Sequence, residues 1–177
     1  MILSFLKGNN MPRTSLQEVL SVQDPLQTWN FDIVIPTVPG VTDARPLTYK
    51  CISTQIPGSQ LEQVALEAHG IKLNFAGRRQ WTGTWTATFF ETRDGSTRDS
   101  FLKWIEMARS WTSNSGNYKS VYSVTADVQL YDDLPQIVRT IRIFGLFPTN
   151  LEDVSLDQTA EIIKFSVTFS FDYSEDV

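Results

Sequence analysis

Apolar residues recur at every second position through most of this chain. Trp29, Phe31, Ile33 and Ile35 alternate with Asn30, Asp32 and Val34, and Pro36 closes the run. Such alternation puts successive side chains on opposite faces of a strand. The same period recurs at Leu47, Tyr49 and Cys51, and again at Ile71, Leu73 and Phe75, a run ended by Ala76-Gly77-Arg78-Arg79. It is clearest where Trp81, Gly83, Trp85, Ala87 and Phe89 stand opposite Thr82, Thr84, Thr86 and Thr88. An aromatic row backed by a threonine row predicts a half-buried strand with one wet face. Tyr122, Val124, Ala126, Val128 and Leu130 give another strand, and Ile137, Arg139, Ile141 and Ile143 the next. The most regular run is the last: Ile163, Phe165, Val167, Phe169, Phe171 and Tyr173.

Two segments depart from this period. Ser15-Leu16-Gln17-Glu18 has capping-box spacing, and Leu16, Val19 and Leu20 share a helical face before Asp24-Pro25. Phe101, Leu102, Ile105 and Ala108 fall on one helical face with Trp104 and Trp111 flanking it, and Ser96 with Asp99 reads as the cap. Proline and glycine punctuate the rest. Pro36 to Pro46 predicts a loop, Ile56-Pro57-Gly58 and Asp132-Asp133-Leu134-Pro135 predict turns, and Gly145 to Asn150 predicts another loop. Gln60 to His69 fits either a helix or a strand.

About seven strands and one central helix predict a mainly β fold: an antiparallel β-sandwich or barrel with one flanking α-helix and a short N-terminal helix. The chain divides into a flexible N-terminal arm (1–14) and a single domain (15–177).

Composition narrows the function. A length of 177 residues suits one domain, and 41% hydrophobic residues supply a core. A net charge of −5 argues against a dedicated DNA binder, which needs a basic footprint. A single cysteine excludes an internal disulfide, and a single histidine excludes any site built on two imidazoles. The apolar start Met1 to Leu6 is short, with Lys7 behind it rather than ahead, so it does not read as a secretory signal. No window approaches the ~20 apolar residues of a membrane span. A soluble, cytoplasmically made protein with no membrane partner is expected.

No catalytic constellation emerges, so no enzyme activity, cofactor or metal is expected. His69 has no G-x-S-x-G elbow to serve, Cys51 sits in an apolar run, and Ala76-Gly77-Arg78-Arg79 lacks the glycines of a phosphate loop, which leaves a charged turn. Five tryptophans raise a carbohydrate-binding sandwich, which requires Trp81 or Trp85 to be exposed. Charge is distributed unevenly. From Glu152 onward seven acids (Glu152, Asp153, Asp157, Glu161, Asp172, Glu175 and Asp176) face one base, Lys164, and the rest of the chain is close to neutral. Glu152, Asp153, Asp157, Glu161 and Asp172 are therefore candidates for an acidic surface.

An ordered set of segments resembles a known family. Asn30-Phe31-Asp32-Ile33-Val34-Ile35 comes first, and Tyr49-Lys50-Cys51 then leads through Ile56-Pro57-Gly58 to Ile71-Lys72-Leu73-Asn74-Phe75-Ala76-Gly77. The Thr/Trp strand precedes Arg98-Asp99-Ser100-Phe101-Leu102-Lys103-Trp104. Last, Gly145-Leu146-Phe147-Pro148-Thr149-Asn150 leads to an acidic stretch and to Phe165 through Tyr173. In this order the segments resemble the tail-tube proteins of contractile-tailed bacteriophages, over about Ser15 to Glu175.

The resemblance implies a non-catalytic protomer. Six copies close into a ring, the rings stack into a tube within the contractile sheath, and genomic DNA passes through without specific binding. It implies partners in the sheath, tape-measure, baseplate and tail-terminator proteins, and a place in the virion tail, assembled in the host cytoplasm. It also favours strand or loop for Gln60–His69, as part of an extension reaching a neighbouring subunit. Gln60, Leu61, Glu62, Val64, Leu66, Arg78 and Arg79 are then the expected ring-interface residues. A baseplate tube initiator, or the tube protein of a phage-tail-like or type VI injection system, is the alternative within the same fold.

Overall fold

The computed structural model describes residue 21, residues 26–158 and residues 160–177; the expected N-terminal arm and the helix opening at Ser15 lie outside these. Among the described residues the elements run β1 (Phe31–Val34), α1 (Arg45–Lys50), β2 (Cys51–Thr54), β3 (Ser59–Ala68), β4 (Ile71–Trp81) and β5 (Thr84–Phe90). They continue with α2 (Ser96–Ala108), α3 (Lys119–Tyr122), β6 (Val124–Tyr131), β7 (Ile137–Leu151), β8 (Lys164–Ser170) and β9 (Tyr173–Asp176). Seven strands form one sheet in the order β1-β6-β7-β8-β5-β2, with β9 also on β7, while β3 and β4 pair only with each other. Every pairing is antiparallel, as the alternating pattern predicts.

The long strand β7 bends this sheet over the core. Residues up to Leu146 pair with β6, and Phe147 to Leu151 pair with β8. Gly145 sits at the changeover with φ +70°. Before it Ile141 and Ile143 are buried; after it Leu146 and Pro148 are. The glycine thus shifts the inward parity by one residue, as a bulge does. The expected loop from Gly145 to Asn150 is strand for this reason: the period does not end there, it changes phase.

The core joins both arms of the bent sheet to α2. Trp85, Phe89, Phe165, Phe169, Phe101 and Trp104 are all buried. Trp85 and Phe169 lie 5.2 Å apart between ring centroids, and Phe89 and Phe101 4.8 Å apart. Each such side chain contributes on the order of 1.5–3 kcal/mol through burial. Both buried indoles find acceptors: Trp85 Nε1 donates to the Gln55 carbonyl and Trp104 Nε1 to the Tyr122 carbonyl, each at 2.6 Å.

Several boundaries differ from expectation. Leu47, Tyr49 and Cys51 do not form a strand; Arg45 to Lys50 is helix α1. Pro46 stands in its first turn, where a missing N–H costs nothing. Leu47 and Lys50, three apart, face inward and Tyr49 faces out. The Lys50 ammonium donates to the Thr92 and Ser96 hydroxyls, each at 3.0 Å. The strand expected from Trp81 to Phe89 is cut at Gly83, whose φ of +70° ends β4 and starts β5 anew. The last strand is likewise cut, at Phe171-Asp172.

Helix α2 forms where expected but is turned. Thr97, Phe101 and Trp104 are buried, whereas Leu102 and Trp111 are exposed. The two large rings take the inward face because they fill the space above Phe165 and Phe169. Ser96 is not the cap: Gly95 precedes the helix in the left-handed region without a side-chain cap. The first-turn N–H groups are satisfied from β5's end instead, since the Glu91 carboxylate accepts from Thr97 and Arg98.

Candidate assembly surfaces

The arm formed by β3 and β4 stands apart from the main sheet. Its strands pair from Ser59 opposite Trp81 to Ala68 opposite Ile71, and His69 and Gly70, both with positive φ, make the two-residue turn. Gln60 to Ala68 is therefore strand, and the sole histidine, His69, sits in the turn at the hairpin tip. The cross-strand pairs sort the arm into two faces. Val64 opposes Phe75, Leu66 opposes Leu73 and Ala68 opposes Ile71, which puts six apolar residues on one side. Gln63 opposes Ala76, Ala65 opposes Asn74 and Glu67 opposes Lys72 on the other. All of β3 is exposed, and so are Ile71, Leu73 and Phe75. Among the described residues, the body covers neither face.

All seven expected interface residues lie on this arm. Val64 and Leu66 belong to its apolar face, while Gln60, Leu61, Glu62, Arg78 and Arg79 lie toward its root. Arg78 and Arg79 are in strand rather than in a charged turn, because β4 continues to Trp81 past a bulge between Leu61 and Gln63. Gly77 permits that bulge, since a Cβ there would meet the Glu62 carbonyl at 2.9 Å. The interface expectation omitted Ile71, Leu73 and Phe75, although their alternation was visible and the pairing register places them beside Val64 and Leu66.

The root of the arm is clamped to β9. Trp81 Nε1 donates to the Ser174 carbonyl at 3.3 Å, and its ring meets Tyr173 edge-on at 6.2 Å. Tyr173 stacks on Phe144 at 4.5 Å, and the Arg79 guanidinium lies over Trp81 at 5.4 Å. Trp85 is 1% exposed and Trp81 is packed into this clamp, so neither offers the free ring that a sugar platform requires.

Strand edges are also left open. Among the described residues β1 pairs only with β6, β2 only with β5 and β9 only with β7. Rows of unpaired backbone groups on such edges are templates for pairing with another chain.

The acidic candidates divide. Glu152, Asp153, Asp157 and Glu161 line one surface cavity of about 540 Å³, together with Leu156, Ile162 and Lys164. Asp172 lies elsewhere, in an ion pair with Lys119 at 2.5 Å. Glu152 accepts the Ser166 backbone N–H at 2.9 Å, and bonding to Ser166 holds its carboxyl below the usual value. Burial pushes the Cys51 thiol up to about 12, against thiolate formation. No helix among the described residues is long and apolar enough to cross a membrane.

A mainly β protomer with an amphipathic two-strand arm, open edges and one outer helix is the architecture of a tube-forming subunit, and comparison with known proteins agrees. The family model described as phage tail tube protein matches residues 25–175. The chain belongs to that family. It is 30% identical over 132 residues to the tail tube protein gp19 of Enterobacteria phage T4, which covers 72% of this chain and 80% of the relative. Its fold is shared with the PVC sheath/tube terminator of an extracellular contractile injection system in the extended state. That likeness has a TM-score of 0.65 at 16% identity and covers 89% of this chain and 99% of the other. The sheath-tube complex of the same system gives 0.62 at 16% identity over 93% and 99%.

Proposed function

We propose that this chain is the structural protomer of a bacteriophage tail tube, in which six copies close into a ring and rings stack into a conduit. The observation that carries the reading is the arm: a ribbon with six apolar side chains on one face, left exposed by the described residues. An isolated two-strand ribbon is marginal in water, and an exposed apolar face of this size marks a contact surface. Docking the arm on a neighbouring copy covers that face, with Val64, Leu66, Ile71, Leu73 and Phe75 as its centre and Arg78 and Arg79 at its rim. Pairing of the open edges of β1, β2 and β9 with neighbours supplies the rest of ring closure.

The reading assigns the chain no catalysis. The tube lies within a contractile sheath, built with tape-measure, baseplate and terminator proteins in the host cytoplasm and carried in the virion tail. Genomic DNA passes along the lumen without a specific site, and a net charge of −5 suits a conduit that must not hold phosphate. The 30% identity to a phage tail tube protein, against 16% to the injection-system subunits, favours a phage tail. Negative-stain microscopy of the purified protein tests the proposal. Rings with sixfold symmetry, alone or stacked, are expected; a monomer that persists at high concentration rejects it.

A further inference from the structure

The outer stripe of α2 carries a second unpartnered surface. Leu102, Ile105 and the aliphatic stems of Lys103 and Arg109 line a shallow apolar groove that ends at Trp111. Trp111 is 88% exposed, and Leu102 is exposed beside it. The backbone that carries it is held in place. The Glu106 carboxylate accepts the Trp111 backbone N–H at 2.8 Å, and the Arg109 guanidinium braces the following loop through the Asn114 carbonyl at 2.9 Å. An exposed tryptophan on a held backbone next to apolar surface has the form of a binding anchor.

The groove has a complement on the same chain. The loop after β7 carries Asp153 and Glu161 beside the exposed Leu156 and Ile162. Among the described residues, Lys103 and Arg109 have no carboxylate within ion-pair distance, and Asp153 and Glu161 have no base. One surface is thus apolar with two bases, Lys103 and Arg109, against the one acid Glu106, and the other apolar with an excess of acids over the one base Lys164. Both adjoin α2, the loop at its first turn and the groove along its second half. Arg98 in the first turn donates to the Glu152 carbonyl at 2.9 Å, while Trp111 follows the last turn.

We infer that the loop of Asp153 and Glu161 on one copy docks into the Leu102–Trp111 groove of a second copy, and that this contact joins ring to ring. The inference rests on the tube reading above and names the surfaces that reading leaves open. Two different patches on one protomer make a heterologous contact, which can repeat without closing on itself and so extends a stack. Opposite charge sets the register, and the apolar residues supply the burial.

Charge exchange tests it. In Lys103→Glu with Arg109→Glu, and separately in Asp153→Lys with Glu161→Lys, rings are expected to form while tube length falls at least tenfold. Combining all four substitutions should restore tubes. Tubes of wild-type length from either pair overturn the inference, and so does loss of rings from a variant with native circular dichroism, which places the contact within a ring. If a pair loses its native spectrum, Lys103→Cys with Asp153→Cys decides: oxidised tubes should give disulfide-linked ladders, and their absence overturns the contact. Failure of the wild-type chain to form rings counts instead against the tube reading itself.

Discussion

Glu91 caps the helix that begins five residues after it: its Oε2 accepts the backbone N–H of Arg98 at 2.9 Å, across the turn between β5 and α2. Its Oε1 takes the N–H groups of Thr92 and Thr97 at 2.9 and 3.0 Å. Partial burial pushes this carboxyl up, but the N–H groups of Arg98, Thr92 and Thr97 outweigh it and hold it below its ordinary value. A depressed carboxylate contributes its stability above the ordinary glutamate range, near 4.3, and loses it as pH falls through the folded value. Glu91→Gln should therefore destabilise the protomer by about 1 kcal/mol at pH 7, the usual worth of a helix cap. The gap between the two proteins should narrow as the pH falls below about 4.3. Thermal midpoints at pH 7 and pH 3.5 check this; an equal gap at both would deny the ionised cap its role.

The faces of the long strands were legible in the sequence. Trp85, Ala87 and Phe89, and Phe165, Val167 and Phe169, point inward as their alternation says. A strand with one dry and one wet side writes its burial directly into its residues. What escaped lies where a local signal competes with a distant contact. Pro148 and Gly145 argue for a loop, yet β7 runs through both because a bulge shifts phase without ending the pairing. Six residues of α1 are too few to show a helical period. Leu102 and Phe101 are neighbours with equal claims to the interior, and only packing on Phe165 and Phe169 decides for Phe101. The arm was legible as two strands, but that its apolar face stays uncovered is a fact about the body, which the arm's own residues do not encode. The acids after Glu152 could be counted, whereas the pairing of Asp172 with Lys119 is a tertiary event.

Gly145 is the residue on which the bend of the sheet depends. Its φ of +70° suits glycine, and the Asp172 carboxylate occupies the space a Cβ would need. Gly145→Ala should cost about 2 kcal/mol or more, from a strained backbone and from displacing Asp172 against Lys119. Gly58→Ala, where nothing lies within 4 Å of the added carbon, serves as the control and should be near neutral. Urea midpoints of the two variants measure the difference, and similar midpoints would remove Gly145 from the account of the bend.

Phe169 tests the core. It is fully buried, with the rings of Trp85 at 5.2 Å, Trp104 at 5.9 Å and Phe101 at 6.0 Å. Phe169→Asp puts an unpaired carboxylate among three aromatic rings, a cost of several kcal/mol that approaches the whole stability of a domain. The variant should be insoluble or unfolded by near-ultraviolet circular dichroism. Phe169→Leu keeps the site apolar and should fold with a lowered midpoint. A soluble, native-like aspartate variant would show that the last long strand faces the other way.

The arm allows folding and assembly to be separated. Leu73 and Phe75 lie side by side on the apolar face of β4, exposed in the protomer and paired with Leu66 and Val64 across the ribbon. Since the body does not pack on them, Leu73→Ser with Phe75→Ser should change the monomer's unfolding free energy little, by roughly 0.5–1 kcal/mol. The same double variant should abolish ring formation, because it removes the anchors a neighbouring copy would cover. On the opposite face, Asn74→Ser with Ala76→Ser changes residues of the same strand without touching the apolar stripe, and should leave rings intact. Sedimentation velocity reads both variants at once: a folded monomer for the first and a ring for the second is the expected pair. The reverse pair would mean that the polar face is the one that docks.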